Sequence, residues 1–175
     1  MKETLKSPGT ASLSRVLPGE AFDTGTFSVT PPFSTFHDAA DPTGFCISDG
    51  EVTVGVCTDT GMVTSAMMPC LSRCDALVLE SNHCPVMLEN GPYPEFLKQR
   101  IADKNRGGHL SNQAASNVLS ELCPDLSVAV LAHLSEKNNT PEKALLTARE
   151  TLSSSSHDVT LEVGLQHAVT RTIEV

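Results

Sequence analysis

Hydrophobic and polar positions along this chain change their period several times, and each change marks an element. Residues 26–30 alternate as a strand does, until Pro31 and Pro32 interrupt them. Residues 44–48 and 51–58 alternate again on either side of Asp49-Gly50, a dipeptide that favours a tight hairpin turn. Residues 63–71 have helical spacing, although Pro69 falls inside them, and residues 76–80 form a short apolar strand. Residues 94–104 predict a helix with Pro94 at its start and Phe96, Leu97 and Ile101 on one side. Residues 111–122 predict another, with Ala114, Ala115, Val118, Leu119 and Leu122 as its apolar stripe. Residues 126–132 are almost wholly apolar, as in a strand covered on both faces. Thr140-Pro141-Glu142 joins a capping hydroxyl, a first-turn proline and an early acid, and starts a helix that runs to about residue 152. After a polar loop at 153–156, residues 159–163 and 168–175 alternate as closing strands. The order is a hairpin followed by alternating strands and helices, which predicts an α/β layer on a mixed sheet.

Composition narrows this picture. A chain of 175 residues can bury one substantial core, and with 4% aromatics and no Trp that core must be aliphatic. A net charge of -9 disfavours a broad electrostatic grip on nucleic acid, although a cation in a site still attracts a phosphate locally. The opening Met1-Lys2-Glu3-Thr4-Leu5-Lys6 has no apolar secretory segment. Among the six cysteines, Cys46 and Cys57 sit in apolar strand patterns, where cysteine packs as a small hydrophobe. Reduced thiols in a cytoplasmic protein are therefore expected. No apolar run approaches the ~20 residues of a membrane span.

Candidate chemistry lies where strands end. His37, Asp59 and His133 offer the imidazoles and carboxylate of a hydrolytic metal site. Asp59 follows an apolar strand and precedes Gly61, which permits a sharp turn; His133 follows residues 128–132; Asp38 adjoins His37 and points elsewhere. His109 stands just before a helix N-terminus, where free N–H groups attract anions and an imidazole can protonate a leaving oxygen. Ser111 or Asn112 caps that helix. Each residue alone also fits a bland role, as a hydrogen-bonded strand-end histidine or a turn aspartate. His157 and His167 read as solvated. Arg100, Lys104 and Arg106 form either a solvated helix face or a phosphate-facing rim. Cys70 and Cys74 have the spacing of a zinc-binding pair, but no second pair follows. A cysteine-based redox or zinc-binding interaction module is thus a further possibility.

Five motifs occur in order: Phe36-His37-Asp38-Ala39-Ala40-Asp41-Pro42, Thr58-Asp59-Thr60-Gly61, Glu80-Ser81-Asn82-His83, Gly108-His109-Leu110-Ser111-Asn112 and Leu131-Ala132-His133-Leu134-Ser135. In this combination the chain resembles the metallo-β-lactamase-fold hydrolases, most of all their YycJ/WalJ-like branch, which is related to ribonuclease Z. The resemblance covers roughly residues 16–175 and leaves residues 1–15 as a loose lead-in. It implies the C-terminal half of an αββα sandwich, a mixed sheet with helices on one outer face. It further implies two divalent metal ions, zinc foremost, with manganese or iron as other candidates. By the same resemblance His37 and His133 are metal ligands, Asp59 bridges the metals, and His109 assists leaving-group protonation. His83 and Asn82 line the site, with Ser111 and Asn112 behind it. The substrate implied is nucleic acid or a small phosphodiester. Two departures stand out. Cys84 occupies the place where the family usually has an acid after His83, and the His-x-His-x-Asp-His motif is absent, since no two histidines here are two residues apart. An alternative is therefore an incomplete, catalytically inactive module that needs a missing N-terminal half or a dimer partner.

Overall fold

The computed structural model describes residue 16 and residues 19–30, 32–122, 124–153 and 158–175. The expected lead-in at 1–15 and His157 lie outside the described residues. The Asp49-Gly50 signal does form a hairpin, between β4 (Thr43–Ser48) and β5 (Thr53–Cys57), which pair antiparallel with Phe45 opposite Val56. Asp49 Oδ1 accepts from the amides of Glu51 and Val52 at 3.0 and 2.9 Å, and Gly50 takes a φ of 100° that a side chain would oppose. Three short strands, β1 (Phe22–Asp23), β2 (Ser28–Val29) and β3 (Phe33–Ser34), extend the antiparallel side.

Beyond β5 the sheet turns parallel, through β6 (Ala76–Glu80), β7 (Val128–Ala132) and β8 (Thr160–Val163). The full order is β1-β2-β4-β5-β6-β7-β8, with β3 on β4, in one 8-stranded sheet. Successive parallel strands are neighbours, so right-handed crossovers put their helices on the same face. The core agrees. Cys57, Leu79, Leu131 and Val163 lie in register as one row, and they pack with Ala115, Leu119 and Leu122 of α4 (Asn112–Leu122) and Ala144 and Ala148 of α5 (Pro141–Leu152). On the alternate positions, Val54, Val56, Val78 and Val130 are only half-buried. Leu119 is fully buried, so Leu119→Ala is expected to cost about 2–5 kcal/mol, read from the urea midpoint.

Several elements differ from the sequence reading. The 63–71 segment yields only α1 (Met68–Leu71), because Pro69 is tolerated just in its first turn. A short α2 (Pro85–Asn90) has no clear sequence signal. α3 (Glu95–Ala102) buries nothing fully, and Phe96 is 73% exposed. Leu97 and Ile101 are four apart and share a side, whereas Phe96 is rotated away from them. Residues 168–175 form no strand despite their alternation; among the described residues no strand pairs with them, and Val169 is 97% exposed. Thr140 caps α5 as expected, accepting from the Lys143 amide at 3.2 Å. Reduced thiols do not hold throughout: Cys46 and Cys70 form a disulfide, because the short α1 returns the chain beside β4. Cys57, Cys74 and Cys84 are free. Among the described residues no helix is long and apolar enough to cross a membrane.

Candidate metal centre

Three neighbouring parallel strands end at one edge, and each delivers a polar side chain there. β6 ends in Glu80. Asp59 follows β5 and His133 follows β7, both in left-handed backbone conformations with φ of 52° and 57°. Such conformations cost a non-glycine residue on the order of 1–3 kcal/mol and persist only where the surroundings enforce them. Here they do. Thr35 Oγ1 donates to the Asp59 carbonyl at 2.8 Å, and Asn82 Nδ2 donates to the His133 carbonyl at 2.9 Å.

The three rings are held by their Nδ1 atoms. His37 Nδ1 donates to the Gly108 carbonyl at 3.0 Å, so the carbonyl, which can only accept, leaves Nε2 as the bare nitrogen of the neutral ring. His133 and His109 both donate from Nδ1 to Oε1 of Glu80, at 2.6 and 2.7 Å. Nε2 of His37 then lies 3.6 Å from Oδ1 of Asp59, and Nε2 of His133 lies 3.8 Å from the same oxygen. His109 stands between them, its ring centre 4.7 Å from that of His37 and 5.4 Å from that of His133. Ligand bonds of about 2.0–2.2 Å to one cation set adjacent donor atoms roughly 3–4 Å apart, so this spacing suits a divalent metal.

Ligand atoms of Asp59, Glu80, His109 and His133 all lie within 4.8 Å of one another. Glu80 has no oxygen to spare, however. Its Oε1 accepts from two imidazoles, and its Oε2 accepts from the amides of Thr60 and Leu110 at 3.0 and 3.1 Å. Glu80 therefore orients the rings instead of facing a metal. Burial pushes its carboxyl up, but the hydrogen bonds from His109 and His133, the charge of His109 and the Thr60 amide prevail and hold it at about 2. In return the Glu80 hydrogen bond raises His133 against the opposing effect of burial. Sequence reasoning quotes Glu80 within a motif and gives it no task. Its only signal is an acid closing an otherwise apolar strand.

The other expected residues lie around this centre. Asp38 Oδ1 is 3.5 Å from His37 Nε2, but Arg100 grips the carboxylate twice, at 2.7 and 3.0 Å, and holds it below the usual range. Ser111 Oγ accepts from the Ala114 amide and caps α4. Asn112 is buried behind it, exchanging amide hydrogen bonds with Asn139 and accepting from Ser81 Oγ at 2.8 Å. His83 is 3% exposed, and its Nδ1 has no hydrogen-bond partner among the described residues. It lines a cavity of about 230 Å³ with Leu88, Glu95 and Lys98, outside the ring cluster. Burial, with His109 adding to it, lowers His83 to about 4. His167 pairs with Glu136 at the surface. Lys104 and Arg106 are exposed. A second cavity, of about 210 Å³, opens beside His37, His109, Tyr93 and Arg100. Its wall includes Gly107, which has a φ of 73° and where a Cβ would meet the His37 carbonyl carbon at 2.5 Å. Gly107→Ala is expected to displace the His37 loop and lower the thermal midpoint, with a cost of about 1–3 kcal/mol.

No family model matches the chain. Over 128 residues it is 33% identical to exodeoxyribonuclease YycJ of Bacillus anthracis, an alignment that covers 73% of this chain and 48% of that protein. The metallo-β-lactamase fold protein YhfI of Bacillus subtilis superposes with a TM-score of 0.62 at 19% identity, over 85% of this chain and 51% of the other. The chain is a metallo-β-lactamase-fold protein of the YycJ-like branch. It spans about half the length of the relatives it matches. Zn(2+)-bound PqqB of Methylobacterium extorquens gives a TM-score of 0.56 at 18% identity, over 85% and 52% of the two chains. A diphosphatase of the PhnP family gives 0.53 at 13% identity, over 86% and 45%. The mixed sheet expected from the family resemblance is the one observed, and the chain covers about half of each related fold.

Proposed function

We propose that this YycJ-like chain supplies part of a two-metal hydrolase centre that cleaves phosphodiesters. In this reading His37 and His133 would hold the ions through Nε2, and the Asp59 carboxylate would serve both. The observation that carries it is the arrangement of hydrogen bonds: each of the two rings is anchored at Nδ1, and each turns Nε2 toward one Asp59 oxygen. The ions would supply an activated water and a clamp on the phosphoryl oxygens. Zinc is the first choice, as in the PqqB structure, and manganese and iron suit the same ligands.

His109 is the proton donor to the leaving oxygen. The Glu80 carboxylate accepts from its Nδ1 and fixes the orientation of the ring. The exodeoxyribonuclease and diphosphatase relatives support a substrate with phosphoester linkages, either nucleic acid or a small phosphodiester. With a net charge of -9, the surface contributes little to holding it, so recognition falls to the site. The reading treats residues 16–175 as one partial domain after a lead-in at 1–15, and places the chain in the cytoplasm. Without His-x-His-x-Asp-His among these residues, a second reading is a chain that binds metal but turns over only with an N-terminal half or a partner copy.

The test is metal content together with hydrolysis of a chromogenic phosphodiester by the purified chain. Stoichiometric metal with turnover supports the hydrolase. Turnover should then fall about 10²–10⁴-fold in His109→Ala while metal content stays constant. Metal without turnover favours the second reading, and a chain that takes up no metal contradicts both.

A further inference from the structure

Cys70 and Cys74 have metal-ligand spacing but lack a second pair in sequence; the fold brings a third sulfur to them. Cys46, on β4, is bonded to Cys70 of α1, and Cys74 Sγ lies 3.7 Å from Cys46 Sγ. Sulfurs that surround one tetrahedral ion at about 2.3 Å stand roughly 3.8 Å apart, so the Cys46–Cys74 pair already has that spacing. Cys74 occupies space that the sheet leaves open for it: a Cβ on Gly55 of β5 would come within 2.8 Å of its sulfur. Cys46 and Cys74 are buried, while a cavity of about 480 Å³ lined by Thr30, Cys46, Ser48, Cys70 and Arg73 gives access to two of the sulfurs. Thr30 Oγ1, 3.5 Å from Cys70 Sγ, adds an oxygen at the same point.

We propose that Cys46, Cys70 and Cys74 form a second metal site, for a thiophilic cation such as zinc, open whenever the Cys46–Cys70 bond is reduced. A dithiol reductant delivers two electrons and two protons to that bond and itself becomes a disulfide, which leaves three protein thiols. The cation takes all three as thiolates, and three protons depart. Burial, helped by the Asp75 carboxylate, pushes the Cys74 thiol up to about 11, so this proton leaves only when the cation displaces it. The fourth position falls to the Thr30 hydroxyl or to water from the cavity. Disulfide and metal are mutually exclusive occupants of these sulfurs, and the site uses none of the residues of the histidine cluster.

The experiment reduces the whole chain with a dithiol, removes the reductant without air, and titrates with Co(II), a coloured stand-in for zinc. The expected result is a thiolate-to-cobalt charge-transfer band that saturates at one ion per chain and is bleached by zinc. One equivalent of zinc should also remove three thiols from a thiol-reagent count. The band should survive in Asp59→Ala, disappear in Cys74→Ser, and be absent from the oxidised chain. Cys70→Ser, at a partly exposed position, should abolish it too, even if a core substitution disturbs folding. No band in the reduced, folded wild type, or an undiminished band in both serine variants, overturns the site.

Discussion

Asp59→Ala is expected to lower the chain's affinity for zinc or manganese by at least about 100-fold, more than the loss of a group that merely orients a ligand. The carboxylate is the element that both Nε2 atoms face, at 3.6 and 3.8 Å, and among the described residues the other acid paired with His133 is Glu80, whose oxygens are already taken. Asp59 is about half-exposed, so its removal opens no core cavity. Alanine at a φ of 52° adds strain on the order of 1–2 kcal/mol, so the metal-free variant should unfold only a few degrees earlier. Asp59→Asn separates charge from backbone, since asparagine tolerates this conformation but forms a weaker metal ligand. Calorimetric titration of the three proteins reads the difference; equal affinities would remove Asp59 from the centre.

Glu80→Ala should be the most destabilising change in the molecule outside the apolar core. It strands two imidazole N–H groups and the amides of Thr60 and Leu110, all of which now point at one fully buried carboxylate. Removing one partner of such a buried network costs on the order of 3–5 kcal/mol. Glu80→Gln is no rescue, because its amide must turn a donor toward one of these pairs of donors. Both variants should show earlier urea midpoints, and retention of wild-type stability in Glu80→Ala would contradict the orienting role.

The same group sets a pH dependence. Glu80 has a folded pKa of about 2, depressed below its ordinary 4.5, so its stabilisation is present above about 4.5 and is lost as pH falls toward 2. His83, depressed from 6.5 to about 4, acts in the same direction: the unfolded chain takes up its proton first, and stability falls between 6.5 and 4. His133 is raised, so its share is present below 6.5 and fades as pH climbs through its higher folded value. Metal-free stability should therefore decline steadily from pH 6.5 downward, and Glu80→Gln should flatten the decline below 4.5. An acid limb unchanged in that variant would assign it elsewhere.

The parallel half of the sheet could be read from the chain because residues 76–80 and 126–132 are apolar runs too short for helices, each joined to the next strand through a helical pattern. Positions just after apolar strands, at 51–58 and 126–132, drew attention to Asp59 and His133, and the fold places the two side chains 3.8 Å apart. Glu80 escaped that reasoning, since an acid at a strand end is ordinarily solvated. Only the folding of the Thr60 and Leu110 loops over it makes it a shared acceptor. The closing alternation at 168–175 misleads for a related reason: period two shows which residues can share a face, not whether a neighbouring strand exists. Cys46 joins Cys70 from 24 residues away, a pairing set by β4 and α1 and invisible in local spacing.

Anomalous diffraction from crystals of this chain grown with zinc would test the metal centre most directly. A peak about 2.0–2.2 Å from the Asp59 carboxylate and from Nε2 of His37 or His133 is the expected outcome. Crystals whose zinc peaks all lie elsewhere, with Asp59 facing only water, would contradict it.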